Sequence, residues 1–599
     1  MFTNIPASSQ ALTSQTAAPT DAPRADRRPR PIRAVHLAGS QAEMGAQHGS
    51  LAAEMGDWHQ AAAFYGLMIE RLLKGSYADP MERAWPMLLR PAFDVALRRL
   101  EAARPTEFRA RTEAFFRSLG LPASRSRQMQ VMDVFQNIVG TAGRLGLGPF
   151  AARMATRVPP ACSSLAIWND GTADGRLLHG RNFDFPGTGI WDERPVVVFC
   201  TPPSGLRYGF VSTSGADTPG VTCFNEAGIA LTAHTRFHRD VAFSSSSIVD
   251  MGHDVVRRVS TLAEAIKVLS EHRSASSWGL LISSARERDS VVVELTAAGQ
   301  AVIRPEADAS GRPNPWRSCT NHYLDAGLAE RELVPSPGFE IHCRGRMARL
   351  EQVATDGLER GGVTLQEVQA LLGDHIDAEV PGFERAAGAV LGQATSVQSV
   401  VVDAEQSVIH VANGAVPTGR GPWVAVPFEW SDQPGWHQLE LAATEAPSTS
   451  RFLKGRPADA YACYVEAARR EGLGQTPDRV CGPLRQAVTL DPDEPSYRLL
   501  IGGMCLRDGA ASEAVDHFAT GIANEPNRFY RGQLQLWGSR AAEIAGRPDT
   551  ARQWRRAVIG NAHPLLERYR RSAEHESVRG LSQSRFRAMP VHVAMGDVG

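Results

Sequence analysis

From Cys162 onward the sequence is cut into short apolar runs separated by turn residues, and the order of those runs excludes most folds. Leu165 to Trp168 and Leu177-Leu178 flank Asn169-Asp170-Gly171 and Asp174-Gly175, a hairpin signal. Arg194 to Cys200 and Leu206 to Ser212 flank Pro202-Pro203-Ser204-Gly205, and Val221 to Phe224 and Ile229 to Ala233 flank Asn225 to Gly228. Helical patterns follow at Ile248 to Val259 and after the capping box Thr261 to Glu264. Strand patterns return at Leu280 to Ser283, Val291 to Leu295 and Val302 to Arg304. Helices come again at Arg346 to Thr355 and after Thr364 to Glu367, then strands at Val397 to Val402 and Val408 to Val411. Strands and helices in alternating groups do not make the βαβ succession of a parallel sheet. They predict antiparallel sheets covered by helices, an α+β domain over 162–430.

A chain of 599 residues needs more than one core. Residues 34–161 read as helical, with apolar residues at helical spacing from Met44 through Trp58 to Ile69. His48 on that first helix is expected to be structural. Residues 1–33, polar and then rich in Arg and Pro, predict a disordered leader. After Pro427 the texture turns helical. Pro492 and Pro526, each closing an apolar helix, stand 34 residues apart, and Gly502, Ala514 and Phe518 fall where a tetratricopeptide repeat packs. We therefore expect a tetratricopeptide-like domain over 455–565, a surface for a protein partner, and a flexible tail over 578–599.

The net charge of -1 gives no basis for nucleic acid or an anionic membrane as partner, and no apolar run reaches membrane-spanning length. Eight scattered cysteines without a CxxC pair predict neither a zinc site nor a disulfide framework, but reduced thiols in a cytoplasmic protein. No metal and no cofactor is expected.

Cys162 opens the first strand, just after Pro159-Pro160-Ala161, and the hairpin brings Arg181 and Asp184 back towards it. With Gly180-Arg181-Asn182-Phe183-Asp184, Asn225-Glu226-Ala227-Gly228, Thr320-Asn321-His322, Cys343 to Arg346 and Ala412 to Thr418, in this order, the chain resembles the N-terminal-nucleophile hydrolases, specifically the isopenicillin N acyltransferase-like cysteine peptidases. The bile salt hydrolases are more distant relatives. The resemblance covers residues 34–428, since Gly39 to Gly49 is similar to the start of the family's propeptide. It implies a four-layer αββα sandwich, self-cleavage between Ala161 and Cys162, and amide chemistry through an acyl-Cys162 intermediate. The substrate would be a small acyl amide or peptide, with an amine or CoA-type acyl partner where the acyl group is transferred.

An N-terminal cysteine carries its own base. Its α-amine, with a reference pKa of about 7.7–8.0, can take the proton of a thiol near 8.5. The resemblance assigns Arg181 to favouring the thiolate, Asp184 to orienting the α-ammonium, and Asn321 to donating to an oxyanion or orienting the nucleophile. It places His234 or Thr235 as a second polar group, and Arg346 as holder of a substrate carboxylate or of the site's core. Ala161 stands where relatives more often carry Gly, and Ser163 where they carry Thr. A papain-type arrangement with His322 lacks the Cys-Gly-Ser-Cys-Trp-like segment, and Cys162 begins a strand rather than a helix. The alternative is a non-catalytic interaction protein working through its helical repeats on a degenerate hydrolase core.

Overall fold

The structure, a computed structural model, describes residues 30–73, 80–156, 161–308, 310–439, 443–445, 450–578, 581–587 and 589–599. The predicted leader over 1–33 lies outside it as far as residue 29. Its last residues are part of the fold: Arg30 pairs with Asp192 and Glu193, and Ile32 is buried. The segment read as helical also begins with a strand, β1 (Arg33–Ala38). Helices α1 (Gln41–Met55), α2 (His59–Leu73), α3 (Pro80–Ala103), α4 (Thr106–Ser118), α5 (Val131–Arg144) and α6 (Gly148–Ala155) follow. Ser40 and Glu43 form a capping box on α1, and Gly56 ends it at φ +80°, so the single predicted helix over 42–73 is two.

The hairpin from Cys162 forms as β2 (Ala161–Asn169) and β3 (Gly175–Asp184), with Asn169 and Gly175 both at positive φ in the turn. Then come β4 (Pro195–Thr201), β5 (Tyr208–Thr213), β6 (Thr222–Asn225) and β7 (Ile229–Thr235). Next are α7 (Ile248–Arg258), α8 (Leu262–Glu271), β8 (Trp278–Ser284), β9 (Asp289–Thr296), β10 (Gly299–Ile303) and β11 (Trp316–Cys319). Helices α9 (Ala326–Ala329), α10 (Pro337–Glu359) and α11 (Leu365–Leu372) precede β12 (Ser396–Asp403), β13 (Val408–Ala412), β14 (Pro422–Pro427), β15 (Gly435–Gln438) and β16 (Ala443–Glu445). The fold is thus mixed α and β, with its strands in two large sheets.

One sheet runs β10-β9-β8-β7-β6-β5-β4-β1-β15 and the other β11-β2-β3-β12-β13-β14-β16. All these pairings are antiparallel except β1 on β4. The strand alternation decides what each face meets. Val197, Phe199 and Val211 of the first sheet pack with Val400, Val402 and Ile409 of the second, and Ala166 and Trp168 pack with Leu281 and Val292. The opposite side of the second sheet, through Leu165, Ile167 and Leu178, packs with Leu350, Leu371 and Leu372 of α10 and α11. Leu231, Leu280 and Val293 share a core with Met251 and Val255 of α7 and with Phe115 and Phe135 of the N-terminal helices.

Buried ion pairs fix those N-terminal helices to the sheets. Arg111 donates through two nitrogens to Asp217 at 2.8 Å each, His48 Nδ1 lies 3.0 Å from the same carboxylate, and Arg104 grips Asp250 at 2.8 Å. His48 is structural, as read.

Beyond 450 the chain is helical: α12 (Gly455–Gly472), α13 (Pro477–Leu490), α14 (Pro495–Asp508), α15 (Ala511–Asn524), α16 (Arg528–Ile544), α17 (Pro548–Ile559) and α18 (Glu567–Glu576). Neighbours α12 and α13, α14 and α15, and α16 and α17 pack as successive pairs. The expectation of a flexible tail over 578–599 is corrected. A small hairpin, β17 (Val591–His592) and β18 (Asp597–Val598), buries Val591, Val593, Met595 and Val598, and Asp597 accepts from Ser336 Oγ at 3.0 Å. Four apolar side chains with a place to bury outweigh the polar composition around them. Among the described residues no helix is long and apolar enough to cross a membrane.

Candidate active site

Cys162 is the second residue of β2, opposite Phe183 in register, and only 2% exposed. Its backbone N–H donates to Asn321 Oδ1 at 2.6 Å, and its carbonyl accepts from Arg346 Nη1, also at 2.6 Å. Its Sγ lies 3.4 Å from Arg181 Nη2. Three segments distant in sequence therefore hold one residue by its nitrogen, its carbonyl and its sulfur.

Alternation on the hairpin explains who meets whom. Cys162, Ser164, Arg181 and Phe183 share one face, so the Arg181 guanidinium reaches back over the thiol. Asp184, three residues from Arg181, points to the other face. Among the described residues no ion pair joins Arg181 to Asp184. Asp184 Oδ1 accepts instead from Ser396 Oγ at 2.5 Å, while its Oδ2 has no hydrogen-bond partner among the described residues. Burial pushes its carboxyl up to about 6 against the opposing pull of Arg346, Ser396 and Arg181.

Asn321 bridges Cys162 and the end of β7. Its Oδ1 takes the Cys162 N–H while one N–H of its Nδ2 donates to the Thr235 carbonyl at 2.9 Å, so the amide group as a whole is held beside the Cys162 nitrogen. Asn321 rather than Asp184 thus holds the Cys162 nitrogen. Arg346 is fully buried on α10. It donates to Ser163 Oγ at 2.8 Å, Asn321 Oδ1 at 3.0 Å and the His342 carbonyl at 2.9 Å, besides Cys162. With every nitrogen committed it holds the core of the site and has no valence for a substrate carboxylate.

His234 and Thr235, at the end of β7, join the site differently from expectation. His234 Nε2 lies 3.5 Å from Arg181 Nη1, and burial together with Arg181, Arg236 and Arg346 holds the imidazole neutral. Thr235 acts through its carbonyl. Burial raises the Cys162 thiol too, Arg181 pulling the other way and Asp184 adding to the rise. His322 bonds to Thr320 Oγ1 and stands apart.

Cys162 opens on a pocket of about 720 Å³. Its wall includes Phe183, Trp191, Ile248 and Trp278, and from the N-terminal helices Tyr65 and Met132. Asp133 and Asp184 are its acidic lining residues, their carboxylates bonded to Ser276 and Trp278 and to Ser396, and no Lys, Arg or His lines it among the described residues. Sequence reasoning did not find this wall, because its parts come from five regions of the chain. It also missed Ser396, which carries no motif.

For a metal, two clusters of described residues bring three donors together, His36 with Glu429 and His437, and Cys505 with Glu513 and His517. In the second, Arg485 already donates to Glu513 and to Cys505 Sγ. Neither cluster includes a residue of the Cys162 site.

No family model matches the chain. A protein of Archaeoglobus fulgidus, described as an uncharacterized protein, is 27% identical over 278 residues, which cover 45% of this chain and 44% of that protein. The chain thus spans less than half the length of that relative. Among solved structures, the Caenorhabditis elegans N-acylethanolamine-hydrolyzing acid amidase (NAAA) ortholog is similar at 14% identity and a TM-score of 0.27, over 41% of this chain and 93% of that one.

Proposed function

We propose that the chain is a cysteine N-terminal-nucleophile hydrolase with the four-layer αββα arrangement, made as a precursor that cuts itself between Ala161 and Cys162. It then hydrolyses an amide, or passes its acyl group to an amine, through an acyl-Cys162 thioester. The observation that carries this reading is the hold on Cys162: N–H on Asn321, carbonyl on Arg346, Sγ under Arg181, beside a pocket with an apolar and aromatic wall.

In the cut, Cys162 Sγ attacks the Ala161 carbonyl carbon and the Ala161–Cys162 C–N bond breaks. The nitrogen takes up the proton and becomes an α-amine, and water hydrolyses the Ala161 thioester to a carboxylate and free thiol. Asn321 Oδ1 already sits where that new amine will be. The amine then takes the thiol proton, the thiolate attacks the substrate carbonyl, and the leaving amine departs with the proton. Arg181 pulls against the burial that raises the thiol. Asp184 Oδ2, without a hydrogen-bond partner among the described residues, is the acceptor for the new ammonium.

The pocket's apolar and aromatic wall, with no Lys, Arg or His among its described lining residues, suits an uncharged apolar acyl group. Because Tyr65 and Met132 precede the cut, the N-terminal piece stays as part of the pocket, held by Arg104–Asp250 and Arg111–Asp217. The paired helices beyond 450 are a tetratricopeptide-like region. Part of its surface is spent on the catalytic domain, which weighs against a degenerate core serving only as a platform for partners.

Incubation with the octanoyl amide of an aminocoumarin tests the reading. Mass spectrometry should find octanoyl on Cys162 and fluorescence should release the amine; neither occurring with the cut protein would refute amide chemistry.

A further inference from the structure

We infer that the helical region beyond 450 positions the active site: it holds segment 385–396, and that segment sets Ser396 on Asp184. The inference rests on the reading of Asp184 as a working carboxylate.

Residues 385–395 form no helix and no ladder strand, so their backbone groups must find other partners. His375 and Asp374 accept the Arg385 and Gly392 N–H groups and Asn182 and Thr188 donate to the Leu391 and Ala394 carbonyls, while the helical region supplies the partners between. The Ala386 N–H donates to Glu494 at 3.1 Å, and the Ala387 carbonyl accepts from Ser496 at 3.2 Å. The Ala389 N–H donates to the Tyr530 hydroxyl at 2.7 Å, and the Gly392 carbonyl accepts from the Tyr461 hydroxyl at 3.3 Å. Arg385 sits between Asp377 at 2.8 Å and Glu525 at 2.9 Å, with its guanidinium 3.5 Å from the centre of the Tyr530 ring. The approach is tight. Gly388 has φ +105°, and a Cβ there would stand 2.5 Å from the Tyr530 hydroxyl.

The far end of the segment enters the site at two places. Gln393 Oε1 lies 2.8 Å from His342 Nε2, and the His342 carbonyl takes Arg346 Nε. The Gln393 N–H donates to Ser396 Oγ at 3.0 Å, which turns the hydroxyl proton to Asp184. Four groups besides Ser396 act on that carboxyl: Arg181 from its own strand, Arg346 from α10, the Cys162 thiol from β2, and Tyr461 from α12. Tyr530 and Glu494 are positioning residues; they act through the segment and touch no reacting atom.

Two measurements on the full chain test this. In uncut Cys162→Ala protein, Tyr530→Phe leaves the Ala389 N–H without its acceptor, a loss of about tenfold in local protection. Hydrogen exchange of 386–396, and of 181–185 with it, should quicken about tenfold; unchanged exchange at 181–185 overturns the proposal whatever the enzyme's activity. In cut protein, Ser396→Ala should raise the acid midpoint of kcat/KM for amide hydrolysis by about one pH unit, the worth of a hydrogen bond to a charged group. Tyr530→Phe should move it in the same direction and add little to Ser396→Ala. A rate lowered equally at all pH values by Tyr530→Phe, with the midpoint unmoved, contradicts positioning. A midpoint unmoved by Ser396→Ala refutes the role of Asp184 itself, and the proposal with it.

Discussion

Asn321 Oδ1 accepts the Cys162 N–H at 2.6 Å while its own amide is tied to the Thr235 carbonyl. One side chain thereby fixes the nitrogen that must become the base. Asn321→Ala removes that hold and leaves Arg346 Nη2 without one of its acceptors. We expect kcat/KM to fall about 100-fold, within the range for a lost proton-transfer geometry, with little change in KM; a fall of less than threefold would remove Asn321 from the account.

Arg181 is the cation nearest the thiol, 3.4 Å from Sγ. Arg181→Met should slow alkylation of Cys162 by iodoacetamide at pH 7 about tenfold and raise the pH at half-maximal rate, since burial then acts unopposed. An unshifted profile would mean the arginine only packs on Phe183.

Asp184 gives a pH prediction of definite sign. Its folded pKa of about 6 lies above the ordinary carboxyl value, so the folded state favours its protonated form. That stabilisation is present below the unfolded pKa near 4 and is lost as pH rises through 6. In uncut Cys162→Ala protein, Asp184→Asn should therefore raise unfolding free energy at pH 8 by about 3 kcal/mol and change it little at pH 4. Denaturation at the two pH values checks it; equal effects at both would place the cause elsewhere. Hydrolysis by the cut enzyme should fall at acid pH, with a midpoint below 6 because the new ammonium pulls the Asp184 carboxyl down.

Val598 tests the folded C-terminus. It is fully buried beside Gly503 and carries the carbonyl that accepts from Trp537 Nε1 at 3.0 Å. Val598→Ser should cost about 2 kcal/mol of stability, whereas a free tail would leave the melting temperature unchanged.

How far the sequence reveals all this depends on distance along the chain. The β2–β3 hairpin is legible because its turn residues and apolar runs are adjacent. The convergence of Asn321 and Arg346 on Cys162 is not a property of spacing and was reached only through resemblance. β1 was hidden because Arg33–Ala38 is short and pairs with β4, over 150 residues away. Ser396 and the β17–β18 hairpin have no local signal at all, since their partners, Asp184 and Ser336, lie over 200 residues off.

The central claim is that Cys162 is buried here as an internal residue and works as a terminal one. Intact-mass analysis of the purified protein tests it most directly. The account predicts two associated pieces, the larger beginning with Cys162, and a single uncut chain for Cys162→Ala; a wild-type protein found only as one uncut chain would contradict it.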